Sequence, residues 1–160
     1  QTCALPICPA QWPAMIDDAK TAIRWVRSNA TRLGIDPARI AVVGYSAGGF
    51  IGLTAAGTQD EATRLSACVA YYAVAEGPPG SSSPLANVSR FPPTVLFHGV
   101  ADMTSPLENS ERLFQTLRQA KLQSELHTFA GQDHVFDRDP AFAIACANLA
   151  DLFIQKNAKA

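Results

Sequence analysis

The fold of this chain is decided by the stretch Arg39-Ile-Ala-Val-Val-Gly-Tyr-Ser-Ala-Gly-Gly-Phe50. It opens with a β-branched apolar run, Ile40–Val43, and small residues of helical character follow over Ala47–Ala56. This order predicts a strand, a sharp turn and a helix. Ser46 then lies at the apex of the turn.

Two glycines flank that serine. A strand that reverses into a helix within one residue brings the backbone close to itself, so Gly44 and Gly48 are expected to supply room. The turn would hold the Ser46 hydroxyl at the carboxyl edge of a sheet, facing helix N–H groups that stabilise negative charge. This predicts a nucleophile. On the motif alone, a phosphate-binding loop or plain tight packing explains the glycines equally well.

The composition narrows the classes of function. The chain has 160 residues, of which 48% are hydrophobic and 17% charged, enough for one domain with a sizeable core. The formal net charge is -1 and no basic run occurs, which argues against nucleic-acid binding. No apolar stretch reaches the roughly 18 residues of a membrane span. The four cysteines lack metal-ligand spacing. We therefore expect a domain that acts on a small molecule.

The first residues look foreign to the fold. The sequence Gln1-Thr-Cys-Ala-Leu-Pro-Ile7 matches the translation of a common sequencing-adapter oligonucleotide. Residues 1–11 are therefore predicted to be a non-native or disordered arm, and residues 12–160 to form the domain. An ordinary amino-terminal arm is the alternative. Because the true start is expected to be missing, cellular localisation stays unknown.

Strand-like and helix-like segments alternate along the rest of the chain. Besides the helix after Ser46, helices are predicted over residues 13–33, 106–120 and 140–155. Further strands are predicted over residues 67–73, 94–98 and 123–129. Residues 76–93 are rich in Gly and Pro and are predicted to lack regular structure. The alternation predicts an α/β fold, with a mostly parallel sheet, helices on both faces and ligands beyond the carboxyl ends of the strands.

A serine nucleophile needs a general base, because its hydroxyl is a poor nucleophile at neutral pH. The chain has three histidines. His127 lies inside a strand pattern and His98 at the end of one, where a structural role is the better interpretation. His134 follows the last strand, in a loop that can reach over the edge of the sheet. It is the candidate base, and a solvated loop histidine is the alternative.

The base in turn needs a carboxylate that orients it. Asp102 stands just past the strand over residues 94–98 and is the candidate, although aspartate is also common in turns. Glu76, after the preceding strand, is its main competitor. Asp133 is next to the histidine and is expected to point elsewhere.

Three motifs together resemble the α/β-hydrolase superfamily. They are Gly44-Tyr-Ser-Ala-Gly-Gly49, His98-Gly-Val-Ala-Asp102 and Gly131-Gln-Asp-His134-Val-Phe136, which give the order Ser, Asp, His. The closest likeness is to esterase and lipase members, such as the hormone-sensitive-lipase and feruloyl-esterase-like groups. The resemblance covers residues 12–160 and implies the carboxyl-terminal half of an α/β-hydrolase fold. It implies no cofactor and no metal.

By this resemblance Ser46 is the nucleophile, His134 the general acid and base, and Asp102 the orienting carboxylate. The backbone N–H of Ala47 would be one oxyanion donor. The second donor comes, in these families, from a glycine-rich loop upstream of the nucleophile. No such loop precedes Ser46 here, which fits a missing start.

The resemblance implies that the complete protein hydrolyses carboxylic esters of small molecules through an acyl-enzyme. The 160-residue chain is expected to be weakly active or inactive and poorly soluble, because Ile40–Val43 would form an exposed apolar edge. Two alternatives stay open. One is a serine peptidase of the prolyl-oligopeptidase type, and the other is a non-catalytic α/β binding module. Acyl specificity and oligomeric state are left open.

Overall fold

A four-stranded parallel sheet forms the centre of the structure. The computed structural model describes residues 13–74 and 83–157. The strands pair in the order β1-β2-β3-β4, and their bounds are Ala41–Tyr45 for β1, Ala67–Tyr71 for β2, Thr94–Gly99 for β3 and Ser124–Phe129 for β4. All three pairings are parallel. The predicted arm over residues 1–11 and the competing acid Glu76 lie outside the described residues.

Helices connect the strands and cover both faces of the sheet, as the alternating pattern predicted. Within the described ranges the α-helices are α1 (Ala14–Ser28), α2 (Ala30–Leu33), α3 (Ala47–Gly57), α4 (Glu108–Gln119) and α5 (Pro140–Asn157). The described residues also include 3-10 helical turns over Pro84–Arg90, with a kink at Asn87, and a 3-10 helix over Phe136–Arg138. None of the helices described is long and apolar enough to cross a membrane.

The core has two parts, one on each face of the sheet. Successive side chains of a strand point to opposite faces. Cys68 and Ala70 of β2 therefore pack in one cluster with residues of α1, α3 and α4. Val69 and Tyr71 pack in the other cluster with residues of α5. These clusters fix the strands from both sides and hold their carboxyl ends at one edge.

Strand β1 lies at one end of the described sheet and pairs with β2. Val42 packs against the core on the face of α3. On the opposite face Val43 and Tyr45 are 51% and 48% exposed. Within the described residues, β1 is thus the apolar edge that the sequence predicted.

Several predicted elements differ from those observed. The helix predicted over residues 13–33 breaks at Asn29, whose φ of -104° and ψ of 12° are not helical. A 3-10 helix over Pro84–Arg90 occupies part of the connection predicted to be irregular, and the Ser83 side chain caps it by accepting from the Leu85 N–H. Strand β2 ends at Tyr71, not at residue 73, because Tyr72 has a φ of +36°.

Candidate active site

Ser46 forms a turn of a single residue between β1 and α3. The strand continues to Tyr45, two residues beyond the predicted end, and the helix begins at Ala47. Ser46 has a φ of 51° and a ψ of -120°, a conformation that serine rarely adopts. Such strain is costly and is kept where the surrounding structure enforces it, often at functional sites.

The space for this turn comes from Gly44 and Gly49. A Cβ atom at Gly44 would lie 2.3 Å from the Gly48 carbonyl oxygen, and one at Gly49 would lie 2.7 Å from the Ala73 Cβ. A Cβ at Gly48 would meet no described atom within 4 Å. The prediction was therefore right for Gly44 and wrong for Gly48. The sequence pattern did not reveal that the second glycine without room for a Cβ atom is Gly49.

His134 bridges the other two predicted site residues. Its Nε2 lies 2.9 Å from the Ser46 Oγ, 88 residues away in the chain, and its Nδ1 lies 2.7 Å from Asp102 Oδ2. An ionised carboxylate only accepts hydrogen bonds, so Nδ1 carries a proton and donates it. In a neutral ring the Ser46 hydroxyl then donates to Nε2. The structure thus brings Ser46, His134 and Asp102 into one chain of hydrogen bonds.

Asp102 is buried, and its carboxylate is well supplied with donors. The Oδ1 atom accepts from the backbone N–H groups of Thr104 and Ser105, both at 2.8 Å. Burial alone would raise the pKa of Asp102, but hydrogen bonds from Ser105, His134 and Thr104 outweigh it and lower the pKa below its ordinary value. The carboxylate is therefore ionised at neutral pH.

His98, expected to be structural, lies against the same carboxylate. It is fully buried, and its Nε2 lies 2.8 Å from the Ser105 carbonyl oxygen and 3.3 Å from Asp102 Oδ2. A carbonyl oxygen only accepts, so Nε2 must be the protonated nitrogen. In a neutral ring, Nδ1 accepts from the Ser110 hydroxyl at 2.7 Å. His98 thereby ties the Asp102 loop to the end of β3 and the start of α4.

Asp133 connects the loops that carry the base and the acid. As expected, it does not face the imidazole of its neighbour. Its Oδ1 accepts from the backbone N–H groups of Met103, at 3.1 Å, and His134, at 2.7 Å. The Ala101 N–H also donates to the Gln132 carbonyl at 2.8 Å. The two loops are thus joined directly.

The contacts of Tyr72 with His134 and Asp137 are a part of this region that the sequence analysis did not predict. The Tyr72 ring lies edge-on to the His134 imidazole, with ring centroids 4.6 Å apart. Its hydroxyl donates to Asp137 Oδ1 at 2.7 Å. No sequence signal identifies this pair, because 65 residues separate them and the contact depends on the unusual backbone of Tyr72.

Ala47, the predicted oxyanion donor, is the first residue of α3. Helix α3 begins at Ala47, so that the Ala47 N–H belongs to the first turn, whose N–H groups have no acceptor within the helix.

The third histidine, His127, lies on β4 and faces Glu125, with Nε2 2.9 Å from Oε2.

Other sites in the described structure are less suited to chemistry. A cavity of about 380 Å³ is lined by Ala38, Ser66, Pro93 and Gln123, which precede the four strands. It is at the edge of the sheet opposite Ser46, whereas ligands of parallel sheets bind beyond the carboxyl ends. Among the described residues, no group of three or more His, Cys, Asp and Glu side chains could hold a metal ion.

Comparisons with known proteins place this chain among hydrolase relatives. Residues 7–78 match the family model BD-FAE, and residues 80–159 match the model of the prolyl oligopeptidase family. The esterase LipC of Mycobacterium tuberculosis is 30% identical over 169 residues, which cover 79% of this chain and 42% of LipC. The chain spans less than half the length of the curated relatives it matches.

Solved structures show the same fold. An acetyl ester-xyloside bifunctional hydrolase from Caldicellulosiruptor lactoaceticus superposes with a TM-score of 0.81 at 28% identity, over 92% of this chain and 67% of that one. Esterase 2 of Thermogutta terrifontis, solved phosphorylated by paraoxon, gives a TM-score of 0.78 at 30% identity, over 88% of this chain and 62% of its own. With its parallel sheet, its strained serine turn and these relatives, the chain belongs to the α/β-hydrolase superfamily, among members related to esterases.

Proposed function

We propose that the complete protein is a serine hydrolase that cleaves carboxylic esters through an acyl-enzyme. The observation that carries the proposal is the position of His134, whose two ring nitrogens lie within hydrogen-bond distance of the Ser46 hydroxyl and the Asp102 carboxylate at once. This arrangement activates a serine, because the base accepts its proton while the carboxylate fixes the ring and stabilises the resulting charge.

In the first half of the proposed reaction, the Ser46 Oγ attacks the ester carbonyl carbon and its proton passes to His134 Nε2. The carbonyl π electrons move to the oxygen, and the Ala47 N–H donates to the resulting oxyanion. When the carbon–oxygen bond to the alcohol breaks, His134 returns the proton to the leaving alkoxide. The products are an alcohol and an acyl ester of Ser46.

In the second half, water takes the place of the alcohol. His134 Nε2 accepts a proton from the water, whose oxygen attacks the acyl carbon, and the Ser46 alkoxide recovers that proton as the acid leaves. Asp102 stays ionised throughout and keeps Nδ1–H directed at itself. No redox step and no cofactor are needed for either half.

The esterase relatives favour an ester over other acyl substrates. A second candidate is a serine peptidase, because residues 80–159 match the prolyl oligopeptidase family. A p-nitrophenyl acetate and a dipeptidyl p-nitroanilide compared at equal concentration separate the two. Turnover of the ester with no release of p-nitroaniline supports the esterase, whereas release of p-nitroaniline supports the peptidase.

Fluorophosphonate labelling with peptide mapping tests the nucleophile itself. The probe phosphonylates an activated serine without needing the correct substrate, so it also serves a chain of low turnover. We expect modification at Ser46 in the wild-type chain and none in the Ser46→Ala variant. A chain that is folded by circular dichroism and hydrogen exchange but stays unlabelled would favour a non-catalytic binding module.

A further inference from the structure

The residue after β2 has a backbone conformation that aromatic side chains seldom adopt. Tyr72 has a φ of +36° and is only 2% exposed. A large side chain in the left-handed region is a genuine outlier and persists only when its surroundings hold it there. Its backbone N–H donates to the Phe97 carbonyl at 2.7 Å. The turn directs the Tyr72 side chain toward the candidate base, away from a continuation of the strand.

The Tyr72 ring forms a wall beside the imidazole of His134. The two ring planes make an angle of 61° at a centroid distance of 4.6 Å, an edge-to-face contact. Phe136 packs against the same tyrosine, with centroids 5.7 Å apart and planes at 77°. Because His134 must meet Ser46 with one nitrogen and Asp102 with the other, a rotation of its ring would lengthen at least one of these bonds.

The hydroxyl of Tyr72 anchors the segment that follows the base. Asp137 lies on the 3-10 helix three residues after His134 and accepts this hydroxyl at 2.7 Å. Between them, Val135 has a φ of +59°, a second rare conformation for its residue type. Burial and the bond to Asp137 raise the pKa of Tyr72, so the hydroxyl keeps its proton and remains a donor. Backbone strain thus occurs at Tyr72 and at Val135, two residues before Asp137.

We propose that Tyr72 is a positioning residue for His134, through its ring edge against the imidazole and its hydroxyl bond to Asp137. The ring limits rotation of the imidazole, and the bond ties the far end of the base loop to β2. The near end of that loop is already fixed, since it leaves β4. This inference depends on the proposed function only in treating His134 as the base. The contact itself is independent of any substrate.

The first test is the rate of fluorophosphonate labelling across four variants. Tyr72→Phe keeps the ring and removes the donor, whereas Asp137→Ala removes the acceptor. We expect each to slow labelling about tenfold, less than the roughly hundredfold cost of a 1 Å misplacement. The double variant should be no slower than either single one, because both remove the same bond. Asp137→Asn keeps an acceptor oxygen and should label at nearly the wild-type rate.

The matched control is Tyr71→Phe. Tyr71 is also buried, and its ring stacks on those of Tyr45 and Phe97, with centroids 4.5 and 4.8 Å apart. Both tyrosine variants lose one buried hydroxyl, so their thermal unfolding should shift by similar amounts. Only Tyr72→Phe should slow labelling. If the two variants label at the same rate, or if the effects of Tyr72→Phe and Asp137→Ala multiply in the double variant, the proposal is wrong.

A spectroscopic measurement separates this inference from the proposed function. The proton on His134 Nδ1 that is donated to Asp102 should give a downfield NMR resonance in the wild type and in Tyr71→Phe. It should broaden or disappear in Tyr72→Phe and Asp137→Ala. One outcome is that the wild type is not labelled but shows the resonance, and that the resonance is lost in Tyr72→Phe. This outcome would refute the proposed hydrolase activity and support the positioning role. An unchanged resonance in all variants would overturn the positioning role.

Discussion

Alanine at Gly44 should disable the turn that presents Ser46, whereas alanine at Gly48 should not. The added Cβ at position 44 would lie 2.3 Å from the Gly48 carbonyl oxygen, 2.6 Å from its carbon and 2.8 Å from the Gly49 Cα. All three are backbone atoms, so none can rotate aside. The shortest contact is about 1.1 Å below the 3.4 Å at which ordinary contacts begin. Either β1 or the start of α3 must therefore shift, by up to about that distance.

Two magnitudes follow from that displacement. Forcing an extra carbon into a packed region costs about 1–3 kcal/mol of the free energy of unfolding. A displacement of about 1 Å at a reacting group costs about a hundredfold in rate. At Gly48 the new Cβ meets no described atom within 4 Å. Because alanine is also favoured over glycine in a helix by up to about 1 kcal/mol, Gly48→Ala should be as stable as the wild type or more so.

The assay combines denaturant unfolding with the rate of fluorophosphonate labelling. A lower midpoint at an unchanged denaturant slope for Gly44→Ala would report lost stability without a change of the denatured state. Both variants change the same residue type within the same motif, so each is the control for the other. Equal labelling and equal midpoints for Gly44→Ala and the wild type would refute the steric argument. So would a Gly48→Ala variant that loses as much as Gly44→Ala.

Three further predictions concern buried polar groups. Because the folded pKa of Asp102 lies below its unfolded value of about 3.9, its contribution to stability should be present above about pH 4 and lost as the pH falls through the folded pKa; Asp102→Asn should flatten this part of the pH profile of the unfolding free energy. His98→Leu leaves two buried hydrogen-bond partners unpaired and should cost about 2–4 kcal/mol of that free energy in urea unfolding. Burial raises the pKa of Cys68 to about 12 and that of Cys146 to about 11, so neither thiol should react with iodoacetamide at pH 8 until the chain unfolds.

Each of these has its own contradicting result. An Asp102→Asn variant with the same acid slope as the wild type would show that its carboxylate is not held ionised by the fold. A His98→Leu variant as stable as the wild type would show that the two His98 hydrogen bonds do not stabilise the loop that carries Asp102. Rapid alkylation of the native chain, mapped by peptide to Cys68 or Cys146, would contradict the burial of these two thiols.

The sequence predicted the parallel sheet and the proximity of three candidate site residues because those features depend on local order. A strand that ends at a small-residue turn places Ser46, and loops after later strands place Asp102 and His134. All three lie at one edge because the strands are parallel. The chemistry of each side chain then restricts its role. The residues alone could therefore suggest candidates for a nucleophile, an acid and a base.

The supports of the site could not be predicted in this way. Tyr72 contacts His134 from a backbone conformation with a positive φ. Nothing in the identity of the neighbouring residues predicts that conformation. His98 reads as the end of a strand, and its contact with Asp102 depends on how the loop after β3 folds back. Gly48 belongs to the motif, yet a Cβ atom at this position would meet no described atom within 4 Å. Such features arise from tertiary contacts, which residue patterns do not encode.

The bond between His134 and Ser46 closes a span of 88 residues, which includes strands β2, β3 and β4. We expect such a contact to form late in folding, after the intervening strands have paired, because closing so long a loop costs entropy. We therefore expect a partly folded chain, even one with helices and a strand pair, to lack this bond. Only native molecules would therefore be labelled at Ser46. The labelled fraction of a sample would then measure its folding yield.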